Sequence, residues 1–305
     1  MLVFATSDKG GTGRSVTSSN VIYRRALQGS DVCYLDFDFG SPTAGTIFDI
    51  PAVELGTLNG GLHSYLQGKL NEPEQLDVWS ESERRSLRNR PPGAGRLVLL
   101  PGDAGGGDLS SSRDVVQRCV SLFLRLNEEF ELCLIDLSAG RTYATEMVLA
   151  ATAEPELRSV TVRWLVFHRW TQQHIIAAAG LVHGDRGILK IGADRGHDER
   201  TLGDAIRFVR TAVIDPNSAE LAGLRPAQVA WLREVNQNLQ ELASRYKLGR
   251  TVMLAQVPLD PLLQWREQLI SDNDVYLRQI ANRETVDEFE TLAKRLVDDA
   301  AWEGL

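Results

Sequence analysis

Short apolar runs alternate with longer stretches of helical spacing along most of the chain. Leu2-Val-Phe-Ala-Thr6 is apolar ahead of a glycine turn and predicts a first strand. From Ser15 to Leu27, apolar residues fall at Val16, Val21, Ile22, Ala26 and Leu27, close to helical spacing, and Gly29 ends the helix. Val32–Asp36 predicts a second strand, Gly61–Gly68 a short helix, Arg96–Pro101 a third strand, and Leu132–Asp136 a fourth. Arg113–Phe130 lies between the last two strands and reads as an amphipathic helix. Val160–Phe167, Phe208–Ile214 and Thr251–Val257 complete the strands, and further helices are predicted over 171–183, 226–246 and 284–300. Residues 72–95 are polar and read as a variable surface excursion, while 102–112 and 184–200 read as glycine-rich loops. The alternation predicts an α/β fold with a mainly parallel sheet flanked by helices. No repeat or low-complexity linker interrupts it, so residues 1–305 are expected to form a single domain.

Composition narrows the function classes. With 43% hydrophobic and 24% charged residues, the chain can bury a sizeable core. The net charge of −8 argues against broad affinity for nucleic acid or anionic membrane, which need a positive field. Cys33, Cys119 and Cys133 are too scattered for a metal cluster or disulfide framework and read as small core residues. No run approaches the ~20 apolar residues of a membrane helix, and no signal peptide is evident, so a cytoplasmic protein is expected.

The candidate chemistry lies in Asp8-Lys-Gly-Gly-Thr-Gly-Arg-Ser15, between the first strand and the first helix. Glycines at 10, 11 and 13 let main-chain N–H groups approach an anion, and the helix N-terminus adds partial positive charge. The context predicts a phosphate cradle for ATP with Mg²⁺, the Ser15 hydroxyl being a metal ligand. The strict pattern G-x-x-x-x-G-K-[ST] fails at Asp8 and at Arg14, while Gly13 and Ser15 fit. Asp36-Phe-Asp38 and Asp136 follow strands at the ends where open parallel sheets bind ligands. Carboxylates there suit a nucleotide–metal site, although an Asp at a strand end can also cap a helix.

Together these residues resemble the ParA/MinD family of deviant Walker A ATPases, whose signature is K-G-G-x-G-K-[ST]. Lys9-Gly-Gly-Thr-Gly-Arg-Ser15 matches it except at Arg14, and Asp36 and Asp38 match the family's D-x-D. Phe130–Gly140 resembles its Walker B segment, and Gln256–Asp260 its late P-x-D segment near the adenine. The likeness is faint over 151–250. It implies a three-layer P-loop NTPase architecture of the SIMIBI type and an ATP-dependent homodimer. Gly10, Gly11, Thr12, Gly13, Arg14, Ser15 and Val16 would surround the phosphates, and Pro258 and Asp260 would lie near the adenine. Ser15, Asp36 and Asp136 would serve Mg²⁺, Asp38 would position the attacking water, and Lys9 would reach the partner's phosphates. Arg14 keeps the positive charge, but its planar fork is longer than lysine. The expectation is therefore slow hydrolysis or binding alone.

The family's members position DNA, proteins or division machinery, so an unidentified protein partner is expected. The acidic stretch Val297–Leu305 lacks the basic amphipathic character that binds membrane. Arg278, Arg283, Lys294 and Arg295 leave DNA open as a partner, though the net charge does not support it. Three readings remain: an ATP-hydrolysing switch, a pseudo-ATPase scaffold that regulates partner proteins, and a structural domain with a relic site.

Overall fold

The computed structural model describes residues 1–107, 109, 112–215 and 223–303. The predicted 102–112 loop and the acidic C-terminus each extend outside these residues. Among them are eight strands: β1 Leu2–Thr6, β2 Val32–Phe37, β3 Leu76–Asp77, β4 Leu97–Leu100, β5 Leu132–Leu137, β6 Val162–Arg169, β7 Ile206–Val213 and β8 Met253–Pro258. They form one sheet in the order β3-β4-β2-β5-β1-β6-β7-β8. All neighbours run parallel except the two-residue edge strand β3.

The central strands are buried on both faces, which explains their near-continuous apolar runs. Leu2 and Phe4 of β1 face one core, and Val3 and Ala5 face the other. On the first face lie α2 Arg113–Glu129, α3 Tyr143–Ala153, α4 Gln172–His183 and α5 Pro226–Arg245. The opposite face is covered by α1 Arg14–Leu27 and α6 Arg283–Arg295, which pack against each other. This is the expected three-layer arrangement. Its parallel order brings the C-terminal ends of seven strands to one edge of the sheet, beside the N-terminus of α1.

Two stretches differ from the sequence expectation. Residues 184–200 are not simply a loop: Ile188–Asp194 and Glu199–Asp204 are helical. Ile188 and Leu202 are buried there, and Asp198 caps the second helix by accepting from Thr201 N. Burial of a few apolar side chains outweighs the local glycine and charge content. The 72–95 excursion is anchored rather than loose. Val78, Trp79 and Leu87 are buried, Trp79 packs beside Tyr23, and its indole N–H donates to the Gly95 carbonyl at 3.0 Å. Arg84 pairs with the buried Asp274 and donates to the Leu269 carbonyl. Helix α3 carries no marked periodicity, since Ala and Thr fill most of its positions, and the sequence pattern missed it. No described helix is long and apolar enough to cross a membrane.

Candidate functional site

Strand β1 ends at Thr6, and the chain turns through residues 7–13 into α1. Gly11 and Gly13 adopt φ of 70° and 72°, the left-handed region that side chains resist. A Cβ at Gly10 or Gly11 would meet nothing within 4 Å, so open space faces the loop. Two contacts fix its shape. Thr211 Oγ1 donates to the Thr12 carbonyl at 2.5 Å, and Gly140 N donates to the Ser7 carbonyl at 2.7 Å. The space is a cleft of about 350 Å³. Gly10 to Thr17 and Asp38 line one end, and Val257, Pro258, Leu263, Gln264 and Glu267 line the other.

The cleft therefore gathers most of the residues expected to bind nucleotide. Gly10, Gly11, Thr12, Gly13, Arg14, Ser15, Val16, Pro258 and Asp260 all border it, and Lys9 adjoins the loop. Asp260 has little freedom to recognise a base. Its two carboxylate oxygens accept from Leu262 N and Asn282 N, both at 2.9 Å, so it shapes the wall by capping the helix Pro261–Trp265.

Arg14 departs most from expectation. Its guanidinium turns under the loop into the protein and is buried with Asp136. Nε donates to Asp136 Oδ1 at 2.5 Å, and Nη2 lies 3.3 Å from Asp38 Oδ2. Nη2 also lies 3.3 Å from Ser15 Oγ, and Nη1 lies 3.4 Å from Ser7 Oγ. Burial opposes its charge, but Asp136 and Asp38 outweigh that and raise its pKa further. Tyr34 donates its hydroxyl to Asp136 Oδ2 at 2.7 Å, so both oxygens of this carboxylate are engaged.

Asp36 has a different role. It sits in register with Asp136 on the neighbouring strand and is fully shielded. Its Oδ2 accepts from Thr43 N and Ala44 N, both at 3.0 Å, and its Oδ1 from Asp38 N at 3.2 Å. Burial, with Asp136 nearby, pushes its pKa up to about 7 against these donors. Asp38 is also raised, by burial first, with Arg14 pulling the other way.

These contacts differ from an open Mg²⁺ site. Ser15, Asp36 and Asp136 do not converge on an open position. Asp136 and Ser15 contact the Arg14 guanidinium, and Asp36 is committed to main-chain N–H groups. Among the described residues no cluster of three or more acidic, His or Cys side chains is arranged to hold a metal. As placed, the side chains do not fit Mg²⁺. The loop Gly10–Ser15, by contrast, borders the open space of the cleft.

Several lining residues were not foreseen. Arg169 ends β6, Thr43 and Ile47 flank the phosphate side, and Thr211 and Ala212 come from the end of β7. The positions of Arg169 and Thr211 at strand C-termini were the available signal. Ala212 has φ of 51° at an irregularity in the β7–β8 pairing, which a sequence pattern does not reveal. The basic residues that left DNA open as a partner are partly tied down: Arg278 pairs with Asp274 at 3.1 Å, and Arg295 donates to the Leu254 carbonyl at 2.5 Å.

No family model matches the chain, and no curated protein matches it. Solved structures do. A chain of the MinC:MinD cell division protein complex of Aquifex aeolicus is 14% identical with a TM-score of 0.58, over 97% of this chain and 95% of that one. The septum site-determining protein MinD of Pyrococcus horikoshii, complexed with Mg-ADP, is 15% identical with a TM-score of 0.55, over 98% of each chain. A plasmid partition protein from Borrelia burgdorferi bound to AMPPNP is 13% identical with a TM-score of 0.56, over 96% of each. With its eight-stranded, mostly parallel sheet flanked by helices, the chain has the fold of the MinD/ParA P-loop NTPases.

Proposed function

We propose that this chain binds ATP in the cleft and acts as a nucleotide-dependent dimerising switch with slow or absent hydrolysis. The observation that carries the proposal is the open, amide-lined loop Gly10–Ser15 at the C-terminal edge of the sheet, leading into α1. Successive N–H groups at a helix N-terminus suit phosphate oxygens. The wall formed by Val257, Pro258 and Leu263 offers apolar surface for a base. Nucleotide-bound structures of the same fold are consistent with this use of the cleft.

Slow turnover follows from Asp38, the residue expected to position water. Its Oδ2 is engaged by Arg14 Nη2 at 3.3 Å, so it is held toward the guanidinium rather than free to orient a water. The same contact favours the second reading, a pseudo-ATPase that regulates partner proteins. Lys9, half-buried beside the cradle, makes no ion pair among the described residues and would reach the phosphates of a second copy.

Isothermal titration with ATP should give saturable heat. Absence of heat, with an unchanged melting temperature in excess nucleotide, refutes the proposal and leaves a structural domain. Phosphate release then separates switch from scaffold, and Arg14→Lys should raise it if Arg14 holds Asp38 back. Size-exclusion chromatography should show an ATP-dependent dimer that Lys9→Ala weakens. Dimerisation unaffected by Lys9→Ala removes that residue from the role.

A further inference from the structure

The Arg14 guanidinium contacts two of the three side chains that the family resemblance assigns to a divalent ion, Asp136 and Ser15, together with Asp38, expected to position water. Asp136 Oδ1 lies at 2.5 Å, and Asp38 Oδ2 and Ser15 Oγ both lie at 3.3 Å. We infer that this guanidinium is the resident cation of the cleft, and that the cleft binds its nucleotide without a divalent metal. The inference rests on the nucleotide reading above, and it adds a statement about which cation serves the phosphates.

Three physical points support it. First, Mg²⁺ demands near-octahedral oxygen ligands at about 2.0–2.1 Å and gives up its waters reluctantly. Here Asp136 Oδ1 and Asp38 Oδ2 each already face a guanidinium N–H. Second, the pair is difficult to open. Arg14 is 7% exposed and Asp136 2%, so swinging the guanidinium away strands a carboxylate in the interior. A metal beside the guanidinium is repelled by it, and a metal replacing it must first break that pair. Third, the guanidinium is not exhausted. Four of its five N–H groups face Asp136, Asp38, Ser15 and Ser7, which leaves one on Nη1 without a partner among the described residues. A phosphate oxygen in the cradle is an acceptor of the right charge for it.

The test compares ATP affinity by isothermal titration in EDTA and in excess Mg²⁺, for the wild type and for Arg14→Lys. The wild-type dissociation constants should agree within about threefold. Arg14→Lys supplies one compact ammonium in place of the fork and releases Asp38 and Ser15, so its affinity should fall by about tenfold or more in EDTA relative to Mg²⁺. A wild type that binds only with Mg²⁺ overturns the inference while leaving nucleotide binding intact. Binding in neither condition defeats the nucleotide reading itself. A second measurement uses metal alone: Mn²⁺, followed by its electron paramagnetic resonance signal, should remain free when wild-type protein is added. Capture of Mn²⁺ by the unliganded protein, lost in Asp136→Asn, also overturns the inference.

Discussion

The inward-turned Arg14 makes a prediction that needs no ligand. Arg14→Met keeps most of the apolar stem and removes the charge, leaving Asp136 buried with only the Tyr34 hydroxyl as partner. Breaking one side of a buried pair costs about 3–5 kcal/mol. A ceiling comes from the proton, because an orphaned carboxylate can protonate instead of staying charged. From an ordinary pKa of about 3.9, protonation at pH 7 costs about 4 kcal/mol, and at pH 5 only about 1.5 kcal/mol. The loss should therefore be about 3–4 kcal/mol at pH 7 and shrink by more than half at pH 5. Urea unfolding at both pH values measures it. Adding Asp136→Asn to Arg14→Met removes the stranded charge and should recover most of the loss, a coupling that a double-mutant cycle isolates. A loss below about 1 kcal/mol at pH 7, or one that does not change with pH, means that the guanidinium is not paired with Asp136 in solution.

Other perturbations test the surroundings of the cleft. Thr211→Val removes the donor to the Thr12 carbonyl and should cost about 1 kcal/mol in unfolding experiments while weakening ATP binding several-fold; unchanged affinity in a titration would separate this contact from the loop's shape. Trp79→Ala empties a buried site under the 72–95 excursion, so stability should fall by about 3–5 kcal/mol and limited proteolysis should cut near Arg84–Arg90 first; cleavage elsewhere contradicts the anchoring. His168 gives the pH dependence: burial, the largest cause, drops its pKa from 6.5 to about 4. The unfolded chain then takes a proton below pH 6.5 that the folded chain refuses. Stability should fall as pH drops from 6.5 to 4, by up to about 3 kcal/mol, and His168→Phe should flatten that slope in thermal melts.

The sheet was legible because parallel strands buried on both faces leave continuous apolar runs. Seven of the eight strands were visible in that way. The exception, Leu76–Asp77, is two residues long and pairs only at the edge, too short to carry a pattern. The glycine turn was equally legible, since glycine is needed where φ is positive and the string sits between a strand and a helix. Side-chain direction was not. Nothing in Gly13-Arg14-Ser15 says whether a guanidinium points out to a phosphate or back to Asp136, which is 122 positions away. That choice is made by which carboxylates the strand order brings under the loop, and strand order is a tertiary fact. For the same reason Asp36 and Asp136 read as equivalent strand-end acids. One meets Arg14, and the other meets the N–H groups of the chain entering the short helix Ala44–Phe48.

Asp36, Asp38 and Asp136 at this edge of the sheet each accept hydrogen bonds from within the chain. Asp36 takes three main-chain N–H groups, Asp136 takes Arg14 and Tyr34, and Asp38 takes Arg14. A site that recruits a metal leaves such oxygens to waters and lets them reorganise when the ion and its nucleotide arrive. Here reorganisation would cost a buried pair before any phosphate contact is made. On the nucleotide reading proposed above, the response would come through the loop's N–H groups and through Lys9 and the cleft-lining Arg169, which make no ion pair among the described residues. Arg169 and the loop line the cleft and Lys9 adjoins the loop, and no hydrogen bond joins Lys9, Arg169 or the loop's N–H groups to Asp38 among the described residues.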